Sequence, residues 1–347
     1  MSPRQLNFGI IGAGRIGHVH AESLCYRLPQ ANVLAIADIF GDAARSAAER
    51  FHIPHATDDP AELLDNPAID AIAICSSTPT HAPLMIAAAQ AGKHIFCEKP
   101  IALNLAQIDE ALAVVNASGV KLQIGFNRRF DSNFQRIRQG IADGEIGSPH
   151  ILRITSRDPA PPPIDYIKAS GGIFMDMTIH DFDMARFLLA DEVEEVYAQG
   201  GVMVDPAIGE AGDIDTAVIT LRFRNGAIGV IDNSRQAVYG YDQRVEAFGS
   251  NGMAASKNHH DFNAVVATDQ GFRQPPLQNF FLERYSRSYL DQWAAFTAYV
   301  VAGAGAESPA SGADGRAPLV IGKAALRSMQ ENRPVAIREI DAQENQS

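Results

Sequence analysis

The chain has 347 residues, 46% of them hydrophobic and 20% charged, so it can bury more than one core and is not a disordered protein; at roughly 150 residues per domain, we expect two domains. The 29 lysines and arginines against 41 aspartates and glutamates give a formal charge of −12, which argues against a protein that binds duplex DNA or an anionic membrane. Three cysteines lack metal-type or redox spacing, and Met1 to Asn7 lacks the apolar region of a signal peptide, so we expect a cytoplasmic location.

The first 125 residues alternate short apolar stretches with helical ones, which is the pattern of a parallel sheet flanked by helices. Strands are predicted at Leu6–Ile11, Val33–Ala37, Ala71–Cys75, His94–Cys97 and Lys121–Gly125. Helices are predicted at Ile16–Leu28, Asp42–Phe51, Glu62–Asp65, from Thr80 to Gly92, and at Asn104–Ser118. This alternation predicts an α/β domain over residues 1–125.

A glycine-rich turn, Gly12-Ala13-Gly14-Arg15-Ile16-Gly17, lies between the first strand and the first helix. Its glycines permit a tight turn and let backbone N–H groups approach a pyrophosphate at the helix N-terminus. Asp38 ends the second strand, where a carboxylate accepts hydrogen bonds from ribose hydroxyls and repels a 2′-phosphate. We therefore predict a Rossmann domain that binds NAD rather than NADP, with contacts from Gly12, Gly14, Arg15, Ile16, Gly17 and Asp38.

Two further polar stretches follow strands at the same predicted edge of the sheet. Ser76-Ser77-Thr78-Pro79-Thr80-His81 is either a capped turn or a contact to the nicotinamide ribose, and the two are compatible. Lys99, in Glu98-Lys99-Pro100, is either a solvated surface charge or an ammonium aimed by the extended conformation that a following proline imposes. An aimed ammonium would stabilise charge on an alcohol oxygen during hydride loss. The cofactor contacts predicted here are Ser76, Ser77, Thr78, His81, Glu98 and Lys99.

After Gly125 the pattern changes to longer alternating strands mixed with helices. Strands are predicted at Ile151–Ser156, Val193–Val202, Thr216–Phe223, Ala227–Ile231, Arg244–Phe248 and Ala264–Ala267, and helices at Asn133–Asp143, Ile173–Leu189, Phe280–Ala302 and Ala317–Gln330. Asn225-Gly226 is typical of a hairpin turn between two of these strands. We predict an α+β domain over residues 126–347, with a large, mainly antiparallel open sheet.

Asp176 and His180 are four residues apart in the helix predicted over Ile173–Leu189, which places both on one helical face. A carboxylate that orients an imidazole and stabilises the imidazolium makes the ring a general base for a hydroxyl proton. The spacing fits an ion pair on a helix surface equally well. The apolar neighbours favour a buried face and hence the catalytic interpretation; they are Phe174, Met175, Ile179 and Phe182.

Other chemistries lack their residues in this sequence. The histidine pairs have no companion cysteines and no HExxH spacing, so no metal site is predicted; the pairs are His18/His20, His52/His55 and His259/His260. A GxSxG nucleophile turn and a GKS/T phosphate loop are both missing from the sequence, which argues against the corresponding hydrolases and NTPases.

Together, these motifs resemble the Gfo/Idh/MocA oxidoreductase family over nearly the whole chain. The resemblance is carried by the glycine turn, Glu98-Lys99-Pro100, Gly125-Phe126-Asn127-Arg128-Arg129-Phe130-Asp131 and the Asp176/His180 pair. Within the family, the stretches 155–159, 171–183 and 239–244 resemble those of bacterial inositol 2-dehydrogenases.

The resemblance implies a function and site roles that the residues alone only suggest. It implies NAD-dependent oxidation of a cyclitol ring alcohol, myo-inositol to 2-keto-myo-inositol, with Lys99 bonding the reacting hydroxyl and Pro100 often in the cis form. It implies Asp176 and His180 as the catalytic pair, and dimers or tetramers built through open sheet faces of the second domain. It also implies substrate contacts, beyond Lys99, Asp176 and His180, from Arg128, Asp158, Tyr241 and Tyr289.

Three alternatives stay open from the sequence. The substrate of the same reaction could be another inositol isomer or a sugar. A related NAD-dependent glycosidase would recycle its cofactor and release no net NADH. A non-catalytic NAD sensor would not need Lys99, Asp176 and His180 together.

Overall fold

The structure, a computed structural model, describes residues 5–344; the first four residues of the Met1–Asn7 segment and the last three of the chain lie outside this range. Within it, the chain forms two compact units. The first unit comprises residues 5–130 and 287–317, and the second comprises 131–286 and 318–344. The expected division after residue 125 differs from this packing mainly because residues 287–317 belong to the first unit.

The first unit contains a six-stranded parallel sheet in the order β3-β2-β1-β4-β5-β6. Its strands are β1 Leu6–Ile11, β2 Ala31–Ala37, β3 His55–Thr57, β4 Ala71–Ile74, β5 His94–Cys97 and β6 Leu122–Ile124. Its helices are α1 Arg15–Glu22, continued by a π-helical turn over Ser23–Arg27, α2 Gly41–Phe51, α3 Ala61–Asp65, α4 His81–Gln90 and α5 Leu105–Ser118. The reversal of strand order between β1 and β4 is that of the Rossmann fold, which confirms the predicted class.

The strands of this sheet are apolar on both faces because helices cover both sides of a parallel sheet. All four residues of β4 are buried, for example, whereas β3 is a three-residue edge strand that the sequence pattern missed. Helix α5 shows both predicted ends. The Asn104 side chain accepts hydrogen bonds from the first-turn amides, and Gly119 closes the helix in a left-handed conformation.

The second unit contains a seven-stranded sheet in the order β12-β11-β7-β10-β9-β8-β15. The helices and strands after residue 130 are α6 Ser132–Ala142, β7 Pro149–Arg157, α7 Ile164–Ser170, α8 Ile173–Asp176, α9 Ile179–Leu189, β8 Val193–Gly201, α10 Pro206–Glu210, β9 Thr216–Phe223, β10 Ile228–Ser234, β11 Asp242–Gly249, β12 Gly252–Ser256, β13 Val266–Thr268, β14 Gly271–Arg273, α11 Phe281–Arg284, α12 Ser286–Val301, α13 Gly312–Glu331, β15 Val335–Ala336 and α14 Ile337–Glu344. Of these, α12 belongs to the first unit from residue 287 onward, α13 passes from the first unit to the second after residue 317, and β13 and β14 form a separate two-stranded sheet. Strands β7 and β10 pair in parallel and the other neighbours are antiparallel. The predicted mainly antiparallel sheet is confirmed, including the β9–β10 hairpin at Asn225-Gly226.

This sheet is covered on one face and open on the other. Helices α6 and α9 contact it, and in β9 the residues that alternate with the exposed ones are buried. The open face carries apolar side chains that are each about half exposed, namely Val218, Ile228, Phe248 and Met253. Cross-strand pairing aligns Met253 with Phe248, Phe248 with Ile151, and Ile151 with Ile228, so these four side chains form one apolar row, which we call the open-face patch. Val218 lies apart from this row, opposite Asp232.

The predicted helix Ile173–Leu189 is wrong in one respect, because the chain forms two helices, α8 and α9, with a break at Met177–Thr178. Thr178 is fully buried, and its hydroxyl is within hydrogen-bond distance of the Ile173 carbonyl and of the Asn233 side chain. A hydroxyl that bonds the local backbone competes with the regular helical pattern. The predicted helix Phe280–Ala302 divides in the same manner, at Tyr285.

Residues 287–317 belong to the first unit because they complete its core. The aromatic side chains of Trp293 and Phe296 pack in one cluster with Phe8 and Phe96, and the Trp293 and Phe96 ring centroids are 4.1 Å apart. A fully buried tryptophan removes more apolar area from water than any other side chain, so the segment is firmly attached.

An ion pair also ties this segment to the first unit. A guanidinium nitrogen of Arg129 lies 3.0 Å from the Asp314 carboxylate. Burial by itself would raise the pKa of Asp314, but the Arg129 charge and hydrogen bonds from Ser311 outweigh burial and lower that pKa to about 2. The pair is therefore ionised at neutral pH.

Candidate active site

The glycine turn after β1 has the shape that a dinucleotide needs. Gly12 has a positive φ of 107°, and a Cβ there would lie 2.5 Å from the Cys75 carbonyl carbon. A Cβ on Gly17 would lie 2.0 Å from the Gly12 carbonyl oxygen. Around Gly14, by contrast, a Cβ would meet no heavy atom within 4 Å, so its backbone is open to a ligand. The residues present therefore fit a pyrophosphate at the start of α1.

Asp38 lies directly after β2 and faces this turn. One carboxylate oxygen accepts the Ala13 N–H at 2.7 Å, and the other accepts the Phe40 N–H at 2.9 Å. Both bonds use backbone amides, which fixes the direction of the carboxylate. Arg15 and Ile16 form the first turn of α1, with Arg15 exposed.

The hydroxyl-rich stretch after β4 is a closed turn in this structure. Thr80 donates to the Ser77 carbonyl at 2.8 Å, so its oxygen accepts the Ser76 hydroxyl at 2.6 Å. Helix α4 begins at His81 rather than being capped by the Thr80 side chain. The buried His81 ring has its Nδ1 2.7 Å from the Pro100 carbonyl and its Nε2 2.9 Å from the Ser76 carbonyl. His81 thus joins this turn to the one after β5.

Glu98, Lys99 and Pro100 form the turn after β5. The Lys99–Pro100 peptide bond is cis, as the resemblance implied. The Glu98 carboxylate is buried and lies 2.8 Å from His20 Nε2, while its other oxygen accepts the Lys99 N–H at 3.2 Å. Lys99 itself is half-buried.

Two thiols next to this turn are chemically inert. Burial raises the pKa of Cys75 and of Cys97 well above the ordinary value, and the neighbouring Glu98 charge raises both further. Both side chains therefore remain protonated thiols, which excludes them as nucleophiles.

Arg128 and Tyr289 are the remaining predicted residues of the first unit. Arg128 is buried in a 3₁₀ turn, Asn127–Phe130, just after β6, and Tyr289 lies on α12 with its ring 5.8 Å from that of His20. With the exception of Tyr289, the predicted residues of this unit follow the carboxyl ends of β1, β2, β4, β5 and β6. Because these strands are parallel, their carboxyl ends meet at one edge of the sheet, which is the ligand-binding edge of this fold.

Asp176, at the end of α8, is held by two residues that the sequence analysis missed. Tyr166 donates a hydrogen bond to one carboxylate oxygen at 2.8 Å, and Arg235 contacts the other at 3.3 Å. Arg235 is only 1% exposed and also contacts the Asp213 carboxylate at 3.2 Å. A period-two pattern could have revealed Arg235, since it continues the buried face of Ile231 and Asn233 in β10.

His180 is the second residue of α9 and is half-buried. Its backbone N–H donates to the Met177 carbonyl at 3.3 Å, across the break between the two helices. Asp176 and His180 therefore lie in two successive helices, instead of sharing one continuous helical face.

The other predicted residues of the second unit gather at one edge of its sheet. Asp158 directly follows β7 and Arg235 directly follows β10, and these two strands are parallel neighbours in register. Tyr241 precedes β11, which pairs antiparallel with β7 so that its start lies beside the end of β7. The buried Tyr241 ring packs edge-on against Phe280, with centroids 5.4 Å apart. This edge thus carries the polar side chains of Asp158, Arg235 and Tyr241. Asp176 is held beside it by its contact with Arg235.

Metal ligands are not grouped in the part of the chain that the structure describes. Among residues 5–344, no cluster of three or more histidine, cysteine, aspartate or glutamate side chains is arranged to hold a metal ion. No helix within the same residues is long and apolar enough to cross a membrane.

Comparison with known proteins agrees with both units. Residues 6–126 match the profile described as "Oxidoreductase family, NAD-binding Rossmann fold", and residues 134–255 match that of the "GFO/IDH/MocA C-terminal domain". The chain belongs to the Gfo/Idh/MocA oxidoreductase family. The resemblance stated from the motifs is thereby confirmed, and the domain at the N-terminal side is an NAD-binding one.

Individual relatives are similar over almost their whole length. The chain is 52% identical over 336 residues to the myo-inositol 2-dehydrogenase of Thermotoga maritima, covering 96% of this chain and 99% of that protein. It is 40% identical to a myo-inositol dehydrogenase structure from Corynebacterium glutamicum, with a TM-score of 0.90 and coverage of 96% and 98%. A scyllo-inositol dehydrogenase from Lactobacillus casei, with bound NAD(H) and scyllo-inositol, is 27% identical with a TM-score of 0.89 and coverage of 96% and 100%.

Proposed function

We propose that this oxidoreductase uses NAD⁺ to oxidise a ring secondary alcohol of a cyclitol, with myo-inositol as its substrate and 2-keto-myo-inositol as its product. The observation that carries the proposal is the 52% identity, over 96% of the chain, to a myo-inositol 2-dehydrogenase. Three features of the structure support it: a glycine turn that fits a pyrophosphate, a half-buried lysine in the turn after β5, and a carboxylate, Asp176, that Tyr166 and Arg235 orient.

The cofactor is held by the first unit. The Gly12–Gly17 turn, with Arg15 and Ile16 at the helix start, takes the pyrophosphate, and Asp38 takes the ribose hydroxyls. Bound at these residues, NAD⁺ would supply the acceptor for the hydride that the carbinol carbon loses. Further cofactor contacts come from Ser76, Ser77, Thr78, His81, Glu98 and Lys99.

The proton leaves the substrate hydroxyl at the same time and is accepted by His180. Asp176 orients the imidazole and stabilises the imidazolium, and its own direction is set by Tyr166 and Arg235. Lys99 donates to the reacting oxygen and stabilises its developing charge until the ketone forms. The ring hydroxyls that do not react are bound by Arg128, Asp158, Tyr241 and Tyr289.

A second candidate substrate is scyllo-inositol, which differs from myo-inositol in the orientation of one hydroxyl. It is favoured by the likeness to the Lactobacillus casei structure that holds scyllo-inositol. The residues that would choose between the two isomers are those proposed to bind the ring hydroxyls, because discrimination of a hydroxyl requires a polar partner at its position.

We further propose that residues 1–125 act as the cofactor domain and 126–347 as the substrate and assembly domain of a cytoplasmic homodimer or homotetramer. The open-face patch supports assembly, because exposed apolar side chains in one continuous surface mark an association site. Three free cysteines fit a reducing compartment. Phe248→Glu should lower the mass measured by light scattering to that of a smaller species, whereas an unchanged mass would contradict assembly through this face.

The substrate is tested by a panel of polyols and sugars scored by NADH formation at 340 nm. We expect the highest kcat/KM with myo-inositol, followed by scyllo-inositol. A higher value for an unrelated sugar would contradict the assignment. Absence of net NADH with every simple polyol would favour a glycosidase that recycles its cofactor.

The base is tested by His180→Ala, with His55→Ala as the matched control, since His55 is an exposed histidine paired only at the surface with Glu62. Removal of a general base typically costs about 10²- to 10⁴-fold in rate. We expect that loss in kcat for His180→Ala with NADH binding retained, and wild-type turnover for His55→Ala. Unimpaired turnover of His180→Ala would refute the role of His180.

A further inference from the structure

A line of three buried polar side chains crosses the core of the first unit. The Trp293 indole N–H donates to His20 Nδ1 at 2.9 Å, and His20 Nε2 lies 2.8 Å from a Glu98 carboxylate oxygen. Trp293 and His20 are completely buried, and Glu98 is 7% exposed. We call this line the Trp293–His20–Glu98 chain.

The Trp293–His20–Glu98 chain has only one consistent arrangement of protons. An indole nitrogen can donate a hydrogen bond but cannot accept one, so His20 Nδ1 must be the acceptor and carry no proton. A neutral imidazole has its remaining proton on the other nitrogen, and Nε2–H therefore donates to the carboxylate. Protonation of Nδ1 would set two N–H groups against each other in a buried site, which is costly.

The His20 ring cannot turn to another partner. It stands edge-on among three aromatic rings, with centroids 5.1 Å away for Phe96, 5.8 Å for Tyr289 and 5.4 Å for Trp293. Its donor thus stays aimed at Glu98, in a protein interior packed closely enough to hold one rotamer.

At its Glu98 end, the Trp293–His20–Glu98 chain reaches the turn that contains Lys99. The second Glu98 oxygen accepts the Lys99 backbone N–H at 3.2 Å. Glycine at position 125 leaves room for this carboxylate, since a Cβ there would lie 2.7 Å from Glu98 Oε1. The carboxylate is therefore held between His20 on one side and the Lys99 backbone on the other.

We propose that His20, directed by Trp293, is a positioning residue that fixes Glu98 and through it the backbone from which the Lys99 ammonium extends. The inference rests on the proposed role of Lys99 in the dehydrogenase reaction. It assigns a role to a buried histidine for which the sequence motifs predict none, and to the single tryptophan in the sequence.

The test uses two substitutions that each retain one of the two side-chain hydrogen bonds of His20. The amide nitrogen of His20→Gln reaches the position of Nε2 and keeps the bond to Glu98. The shorter amide of His20→Asn occupies the position of Nδ1, keeps the bond to Trp293 and cannot reach Glu98. Both lose the aromatic ring, so a purely structural role would affect them alike.

We expect His20→Asn to lower kcat with myo-inositol at least tenfold at nearly unchanged KM and NADH affinity, while His20→Gln stays within about threefold of wild type. The proposal would be overturned if both variants lost kcat equally and in proportion to their lowered thermal midpoints. Full turnover in His20→Asn would overturn it as well. A wild-type enzyme without polyol activity would instead contradict the proposed function. The tautomer of the His20 ring would then test this inference independently of turnover.

The tautomer is measured on wild-type protein labelled with ¹⁵N-histidine. Long-range ¹⁵N–¹H spectra should show the His20 ring protonated at Nε2 and bare at Nδ1, and Trp293→Phe, which keeps an aromatic ring and loses the N–H, should release this preference. Protonation at Nδ1 in the wild type, or an unchanged tautomer in Trp293→Phe, would overturn the inference whether or not the histidine variants fold.

Discussion

Arg235 offers the sharpest test of how the second unit holds the Asp176 carboxylate in place. Its guanidinium is 1% exposed and lies 3.3 Å from Asp176 and 3.2 Å from Asp213. With an effective dielectric constant near 20, each contact at this distance has a gross attraction of about 5 kcal/mol. The cost of removing the charges from water offsets much of this attraction in the intact protein.

Arg235→Met removes the cation and leaves two carboxylates together in a site that is largely closed to water. Removing one partner of a buried ion pair typically costs about 3–5 kcal/mol. We expect a loss of that size in the free energy of unfolding measured with urea. Because Asp176 then loses the guanidinium that orients one of its carboxylate oxygens, we also expect kcat to fall at least tenfold.

The same change at Arg222 serves as the control, since that guanidinium is more than half exposed and pairs with Glu194 and Glu195 at the surface. Arg222→Met should cost less than about 1 kcal/mol. The double variant Arg235→Met/Asp213→Asn should recover part of the stability because it removes one of the two unpaired charges. An Arg235→Met protein within about 1 kcal/mol of wild type would refute the reasoning.

Two further predictions concern the first unit. Asp314→Asn should lower the free energy of unfolding by about 2 kcal/mol above pH 4, because the pKa of Asp314 is lowered from 3.8 to about 2 in the folded protein. The ionised Asp314 carboxylate stabilises the fold above its unfolded pKa, and this stabilisation is lost as the pH falls through 2. Unfolding by urea at several pH values checks this, and a wild-type advantage that persists undiminished well below pH 3 would contradict it. Gly17→Ala should lower the thermal midpoint without ligand, since its Cβ would lie 2.0 Å from the Gly12 carbonyl oxygen, whereas Gly14→Ala should keep the midpoint and weaken NADH binding. Equal midpoints for the two variants would contradict the assigned contacts.

Features encoded locally were predictable from the sequence. Alternating strand and helix patterns with a glycine turn gave the Rossmann sheet, and Asn225-Gly226 gave the β9–β10 hairpin. Most site residues of the first unit were placed correctly after strands, because in a parallel sheet a residue just past a strand necessarily lies at the ligand-binding edge.

Features that depend on a distant partner were not predictable. The Ile173–Leu189 pattern has helical periodicity, and only the contact of the buried Thr178 with Asn233, 55 residues away, accompanies the break into two helices. The position of residues 287–317 was missed for the same kind of reason, since a helical pattern shows which face is apolar and not which core receives it.

By itself, the sequence determined the class of each domain, the cofactor and the residues expected to carry the reaction. Only the tertiary structure decided what holds those residues in place. Arg235 reaches Asp176 across 59 positions, and Trp293 reaches His20 across 273. The physical reason is that a catalytic side chain can be recognised by its own chemistry, whereas a positioning residue acts through a hydrogen bond that exists only after folding.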